Sequence, residues 1–255
     1  GRHRAGRSVR AQSLAGRTAT RMHDVTVESV LFSIVPVSLL GAVIGLDMVS
    51  FPQMMLSRPL VSATLGGAFV GRPAAGLLIG AVLELIALET LPFGASRYAE
   101  WGTAGVVGGV VMAGQPAGAA GALPVAMFVA LATAVFSSRS MVWVRTWNAH
   151  QARKLRAAID AGSPAAVDNL QLRGLTMDLA RGFVVTFVAL IVLFPLSEEI
   201  VAIWGVDAIH SRAVVTALAA TVAAGAIWTL THRAARAGWL FVLGLGAGTV
   251  LLLLQ

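Results

Sequence analysis

Charged side chains stand in or beside a stretch that is otherwise apolar: Arg58, Glu84 and Glu89 within it, Asp47 before it and Glu100 after it. A charge at the centre of a hydrocarbon layer costs about 2.5 to 3.5 kcal/mol on insertion scales, so such residues pair with one another or line a cavity. Two chemistries are open. Arg58 and Glu84 could form an ion pair that only holds two segments together. Alternatively, carboxylates and backbone groups freed at a helix break could hydrogen-bond a polyhydroxylated or ionic solute, with Gln53 adding a neutral donor and acceptor. On one continuous helix Glu84 and Glu89 would lie about 140° apart. Either they serve different roles or the helix breaks between them. Pro52, Pro59, Pro73 and Pro92 mark the expected breaks.

Other chemistries lack their residues. There is no Gly-rich phosphate loop ending in Lys-Ser/Thr, no GxSxG and no paired metal-ligand motif. Cysteine is absent, which removes thiol nucleophiles, disulfides and thiolate ligands. No metal, no cofactor and no catalytic residue is expected. Of the histidines, His3, His23, His150, His210 and His232, none lies inside an apolar segment. A phosphoryl-carrying histidine would have to be in a loop, with His150 the first choice; the plainer reading is a solvated or interfacial ring.

The elements that must position these residues are membrane helices. Of the 255 residues 57% are hydrophobic and 12% charged, and the mean hydropathy is +0.80. That composition predicts an all-α, polytopic membrane protein. Expected spans include 30–46, 116–136, 183–204 and 213–231, with a last apolar segment from Trp239 to Gln255. The pieces 59–70, 74–91 and 101–114 are short and broken by Gly or Pro, which predicts re-entrant or discontinuous helical hairpins. Tryptophans 101, 143, 147, 204, 228 and 239 fall near segment ends, where indoles favour the membrane interface. Small residues four apart, as in Gly41/Gly45, Gly67/Gly71, Gly76/Gly80, Gly105/Gly109 and Gly244/Gly248, predict close helix packing.

The net charge of +7 is topological. Six of the 19 Lys+Arg lie in residues 1–21 and seven in residues 139–181, flanking apolar segments. No basic and aromatic platform accompanies them, so nucleic-acid binding is not expected. The segment at about 139–181 is the main extramembrane one, and its arginines place it in the cytoplasm. Residues 1–21, rich in Arg and Ser, read as a disordered basic arm before an expected natural start at Met22, leaving 22–255 as a single transmembrane domain.

The order of motifs then resembles a known family. Gln53, Arg58-Pro59-Leu60-Val61, Gly67-x-x-x-Gly71, Gly76-x-x-x-Gly80-x-x-Leu83-Glu84-Leu85, Gly94-Ala95 and Glu100 are similar to the membrane-embedded IIC component of the mannose/fructose/sorbose family of bacterial phosphotransferase systems. The polar stretch with His150-Gln151-Ala152 and Asp160-Ala161-Gly162 falls where that family has its cytoplasmic helix.

The resemblance implies a multi-pass permease subunit of the bacterial inner membrane that translocates a hexose. It implies assembly with a IID membrane subunit, and phosphorylation of the sugar by soluble IIA and IIB partners. Gln53, Glu84 and Glu100 would contact substrate, and Arg58, Gly94 and Glu89 would order the pocket, although the family pattern makes no claim on Glu89. Arg72 stands where the family usually has an acidic residue, and 213–226 is Ala-rich where relatives tend to have Gly and Pro. These departures keep open a IIC chain that has lost transport and acts as a regulatory or structural subunit. An unrelated carrier coupling ions through Glu84 and Glu89 is the remaining alternative.

Overall fold

The computed structural model describes residues 27–48, 50, 52–88 and 98–231, with 239, 242–244, 246–248 and 250 beyond them. Glu89, Gly94 and residues 1–21 lie outside the described residues, as does most of the expected last segment. The chain divides after Pro36 into two units, 1–36 and 37–255, and the second contains the helical bundle. Every regular element among the described residues is a helix, so the chain is an all-α membrane protein.

Helix α1 (Val27–Asp47) contains Pro36. Helices α2 (Pro59–Phe69) and α3 (Pro73–Ala87) each begin with proline in the first turn, where its missing N–H costs nothing. Between them Gly71 has φ +82°, a conformation that glycine alone adopts freely, and the chain reverses there. With 11 and 15 residues these helices are about 16 and 22 Å long, short of a hydrocarbon core of about 30 Å. They form a hairpin that leaves by the side it entered. Helix α3 ends at Ala87, which puts Glu84 in its last turn.

Helix α4 (Trp101–Gly114) is buried along nearly its whole length. It can sit so deep because its neighbours touch backbone. A Cβ added at Gly66 would overlap the Val106 carbonyl, and one at Gly109 the Ala63 carbonyl, so α2 and α4 meet with no side chain between them. Gly67 and Gly76 do the same for α2 and α3, where an added Cβ would come within 2.8 Å of the facing backbone. In the second pair of small residues Gly71 makes the turn rather than a packing contact, and among the described residues nothing lies within 4 Å of a Cβ added at Gly244 or Gly248. Trp101 departs from the interfacial expectation: it is 4% exposed, part of the core at the start of α4.

Helices α5 (Ala122–Lys154) and α7 (Pro164–Ala202) have 33 and 39 residues, about 50 and 58 Å at 1.5 Å per residue. Both exceed a bilayer, and with the short α6 (Arg156–Asp160) between them they form an arm. Gly162, at φ +76°, ends α6, and Ser163 caps α7, its Oγ accepting from Ala166 N at 3.4 Å. The polar segment expected at about 139–181 is therefore a continuation of two spanning helices. Its last two charges are not solvated: Asp178 and Arg181 are 7% and 6% exposed. Helix α8 (Ala208–Thr231) packs on α3 and α5. Val215, Ala219, Ala223 and Ala226 are buried along it, so its alanines serve close approach.

Candidate functional site

Four helix ends meet at one level: the C-terminal part of α1, the start of α2, the end of α3 and the start of α4. Helix ends carry unsatisfied backbone groups, and here polar side chains collect them.

Asp47, 2% exposed, organises the connector from α1 to α2. Its Oδ1 accepts from Met54 N at 2.6 Å and its Oδ2 from Ser57 N at 2.9 Å. Between these anchors Gln53 and Met55 have φ of 60° and 64°, left-handed conformations uncommon for residues with a side chain. Such geometry persists only where the surroundings impose it, and it gathers at functional loops. Gln53 is exposed on this loop.

Arg58 and Glu84 close the base of the α2–α3 hairpin. The guanidinium Nη2 donates to Glu84 Oε1, and Leu60 N donates to Glu84 Oε2 at 3.1 Å. The carboxylate thus holds both a side chain and the first turn of α2, where the helix dipole favours a negative charge. Its side chain remains 23% exposed, so the pair is not sealed. The sequence-derived alternatives meet here in one geometry: Arg58 fixes the hairpin, and Glu84 still presents surface.

Glu100 is placed otherwise. It is 0% exposed and caps α4, accepting from Gly102 N at 2.8 Å and Thr103 N at 3.2 Å. It also accepts from the Thr103 hydroxyl and, at 2.7 Å, from Ser137 on α5. Arg181 Nη1 on α7 donates to Ser137 at 2.8 Å and lies 3.9 Å from Glu100. Arg181 Nε donates to Asp178 at 2.7 Å, and Asp178 accepts from Ser50 at 2.7 Å. Two carboxylates face one guanidinium in the interior. The N-terminus of α4 offsets the surplus, since its amides aim at Glu100.

Sequence reasoning paired Arg58 with Glu84 but missed Ser137, Asp178 and Arg181. The available signal was Asp178 and Arg181, one turn apart, immediately before an apolar run, with Ser137 at the end of another. At the opposite end of α4, Arg72 Nη1 donates to the carbonyls of Ala113 and Gln115, both at 2.6 Å. The arginine that departs from the family pattern is a C-terminal cap. Among the described residues no cluster of potential ligands could hold a metal.

A membrane bundle of this kind, with broken hairpins and a polar layer at their ends, is a transporter architecture. A family model described as the sorbose-specific IIC component of phosphotransferase systems matches residues 31–244. The chain belongs to that family. Two solved structures share the fold at 19% identity. One, described as the structure of a membrane protein, has a TM-score of 0.66, with 91% of this chain and 96% of that one covered. The other is a cryo-EM structure of the mannose transporter ManYZ in complex with microcin E492, with a TM-score of 0.55 and 86% of each chain covered. A comparison with curated proteins finds no match. As a IIC component, the chain is a membrane-embedded sugar permease subunit of a phosphotransferase system.

Proposed function

We propose that this IIC subunit translocates a hexose of the mannose, fructose and sorbose class across the bacterial inner membrane. The sugar is phosphorylated by partner IIA and IIB proteins, with no catalytic residue on this chain, and a IID subunit completes the membrane complex, which works as an oligomer. The arm of α5, α6 and α7 lies on the cytoplasmic side, as its arginines require.

The observation that supports this reading best is Glu84. It stands where two half-length helices end, is oriented by Arg58 and the Leu60 amide, and keeps exposed surface. A carboxylate so held has lone pairs left for sugar hydroxyls, and charge-assisted bonds of that kind are about twice as strong as neutral ones. Gln53, on the loop that Asp47 braces, adds a neutral donor and acceptor. Glu100, closed into its network, supports this end of α4 in the conformation described and would reach solute only after the network opens. Gly94 and Glu89 keep their proposed place as pocket-ordering residues.

The test is uptake and phosphorylation of D-mannose, D-fructose and L-sorbose in vesicles bearing the complete set of subunits, with Glu84→Gln in this one. A half-saturating concentration raised at least tenfold, with normal membrane insertion, is expected. Unchanged uptake overturns the role of Glu84, and no uptake of any hexose by the unmutated set overturns transport itself.

A further inference from the structure

Below the polar layer, between the polar ends of α5 and α7, lies a cavity of about 510 Å³. It is separate from the Glu84 site: its floor is Asp178 and Ser50, and its walls rise along the arm. Both walls contribute apolar side chains, Met141 and Val144 from α5 and Leu170 and Leu175 from α7. Between them stand Arg145 and Asn148 from α5 and Gln171 from α7.

Three features define what this space would accept. Size comes first, since pockets for small molecules run from about 300 to 1,000 Å³. Charge comes second. Asp178 and Glu100 share the Arg181 guanidinium, and Arg145, the second cation, is held over the Tyr98 ring at 5.1 Å from its centroid while donating to the Tyr98 hydroxyl at 2.5 Å. The lining therefore carries no surplus of either sign, which disfavours a strongly anionic or cationic occupant. The third is an orphaned acceptor: Asn148 Oδ1 is buried and, among the described residues, accepts no hydrogen bond. A buried acceptor left bare costs about 1 to 3 kcal/mol, and a ligand hydroxyl removes that cost once the amide turns toward the cavity. Gly174 keeps the space open opposite it. A Cβ there would lie 3.6 Å from Asn148 Nδ2, so a larger side chain would fill the cavity against the amide.

We propose that this cavity is a second, inner binding site for a neutral polyhydroxylated molecule of hexose size. Hydroxyls bond to Asn148, Gln171 and Ser50, and the C–H groups lie on the apolar side chains. The inference rests on the proposed function, in which sugar leaves the membrane domain on the side of the arm. The site would hold it there, about 16 Å along α5 from the Ser137 layer.

The experiment uses vesicles with the complete system, oriented so that the arm faces the medium, and measures phosphorylated product against the concentration of D-mannose or L-sorbose supplied on that face. Asn148→Leu and Gly174→Leu should each raise the half-saturating concentration about tenfold. Asn148→Leu should also leave the heat stability of the extracted chain unchanged or higher, because it removes the bare acceptor. A wild-type system that works, with both variants inserted and half-saturation unchanged, overturns the inner site alone. A wild-type system with neither uptake nor product overturns the proposed function, and this inference with it.

Discussion

The Glu100 carboxylate and the Arg181 guanidinium lie 3.9 Å apart in the interior, and the Ser137 hydroxyl is hydrogen-bonded to both. This contact joins α4, α5 and α7 through charges that have no water to fall back on. Removing one partner of such a group is costly because the other stays buried and unpaired. Arg181→Met, which strands Glu100 and Asp178 together, should cost about 3 to 5 kcal/mol. Adding Glu100→Gln to it should recover part of the loss, since one stranded charge is removed while the amide oxygen still caps α4. Thermal unfolding of the detergent-extracted chain checks the order: wild type, double variant, single variant. A double variant less stable than Arg181→Met would show that Glu100 matters through its cap rather than its charge.

The α2–α4 contact makes a second prediction from glycine alone. At Gly109 an added methyl would overlap the Ala63 carbonyl, and backbone cannot give way as a flexible side chain can. Gly109→Ala should therefore destabilise by about 1 to 3 kcal/mol, as overpacking does. Gly225 lies inside α8, and among the described residues nothing lies within 4 Å of its added Cβ. There alanine only restricts the unfolded chain and favours the helix, so Gly225→Ala should stabilise by about 0.5 to 1 kcal/mol. The same unfolding measurement reads both, and equal effects would contradict the packing described.

How much of this was legible in the sequence depends on whether the decisive contact is local. The broken hairpin was legible, because Pro59, Gly71 and Pro73 punctuate the chain where α2 and α3 begin and end. Arg58 and Glu84 were legible as partners because a charge in an apolar run requires one. Arg181 was not: at the edge of a polar segment an arginine reads as a topology signal, and only the unbroken course of α7 carries it into the core. Glu100 was seen as acidic and at depth, but its first partners are the amides of the next turn, a capping role that a search for solute ligands passes over. Trp101 misled for a related reason, since the indole preference for interfaces yields where a short helix starts inside the protein.

Arg72 carries the third prediction. It bonds two carbonyls at the end of α4, where the helix dipole favours a cation. Arg72→Ala should cost about 1 to 3 kcal/mol. Arg72→Glu, which restores the acidic type of the family pattern, should cost more, because here it would face those same carbonyls. Finding the glutamate variant more stable than the alanine one would show that the contact with α4 is replaceable.

A pH dependence is expected in the connector before α8. Asp207 Oδ1 accepts from the amides of Ile209 and His210 at 3.0 and 3.1 Å, and Oδ2 meets His210 Nδ1 at 2.6 Å. The His210 amide, and then its ring, hold the Asp207 carboxyl below the ordinary value of 3.8. A depressed carboxylate contributes stability above its unfolded pKa and loses it as pH falls through the folded one. Hydrogen-exchange protection of the His210 amide should therefore hold steady near neutrality and decline only below about pH 3.8. Asp207→Asn should remove that acid-side decline, and its persistence in the variant would assign it to another group.

The Arg58–Glu84 pair separates a brace from a solute ligand. The side chains are 34% and 23% exposed, and an ion pair so open to solvent contributes little by itself, on the order of 0 to 1 kcal/mol. Glu84→Gln keeps an oxygen for the Leu60 amide and loses only charge, so heat stability should fall slightly. If Glu84 bonds the sugar, the same variant should raise the half-saturating hexose concentration at least tenfold, about 1.4 kcal/mol. Arg58→Met leaves the carboxylate but frees it from its orienting partner, so maximal uptake should drop together with hairpin stability while half-saturation moves less. Uptake kinetics and unfolding of both variants, taken together, decide the matter. Parallel losses in the two variants would make the pair a brace and nothing more, and a binding defect confined to Glu84→Gln would make the carboxylate a sugar ligand.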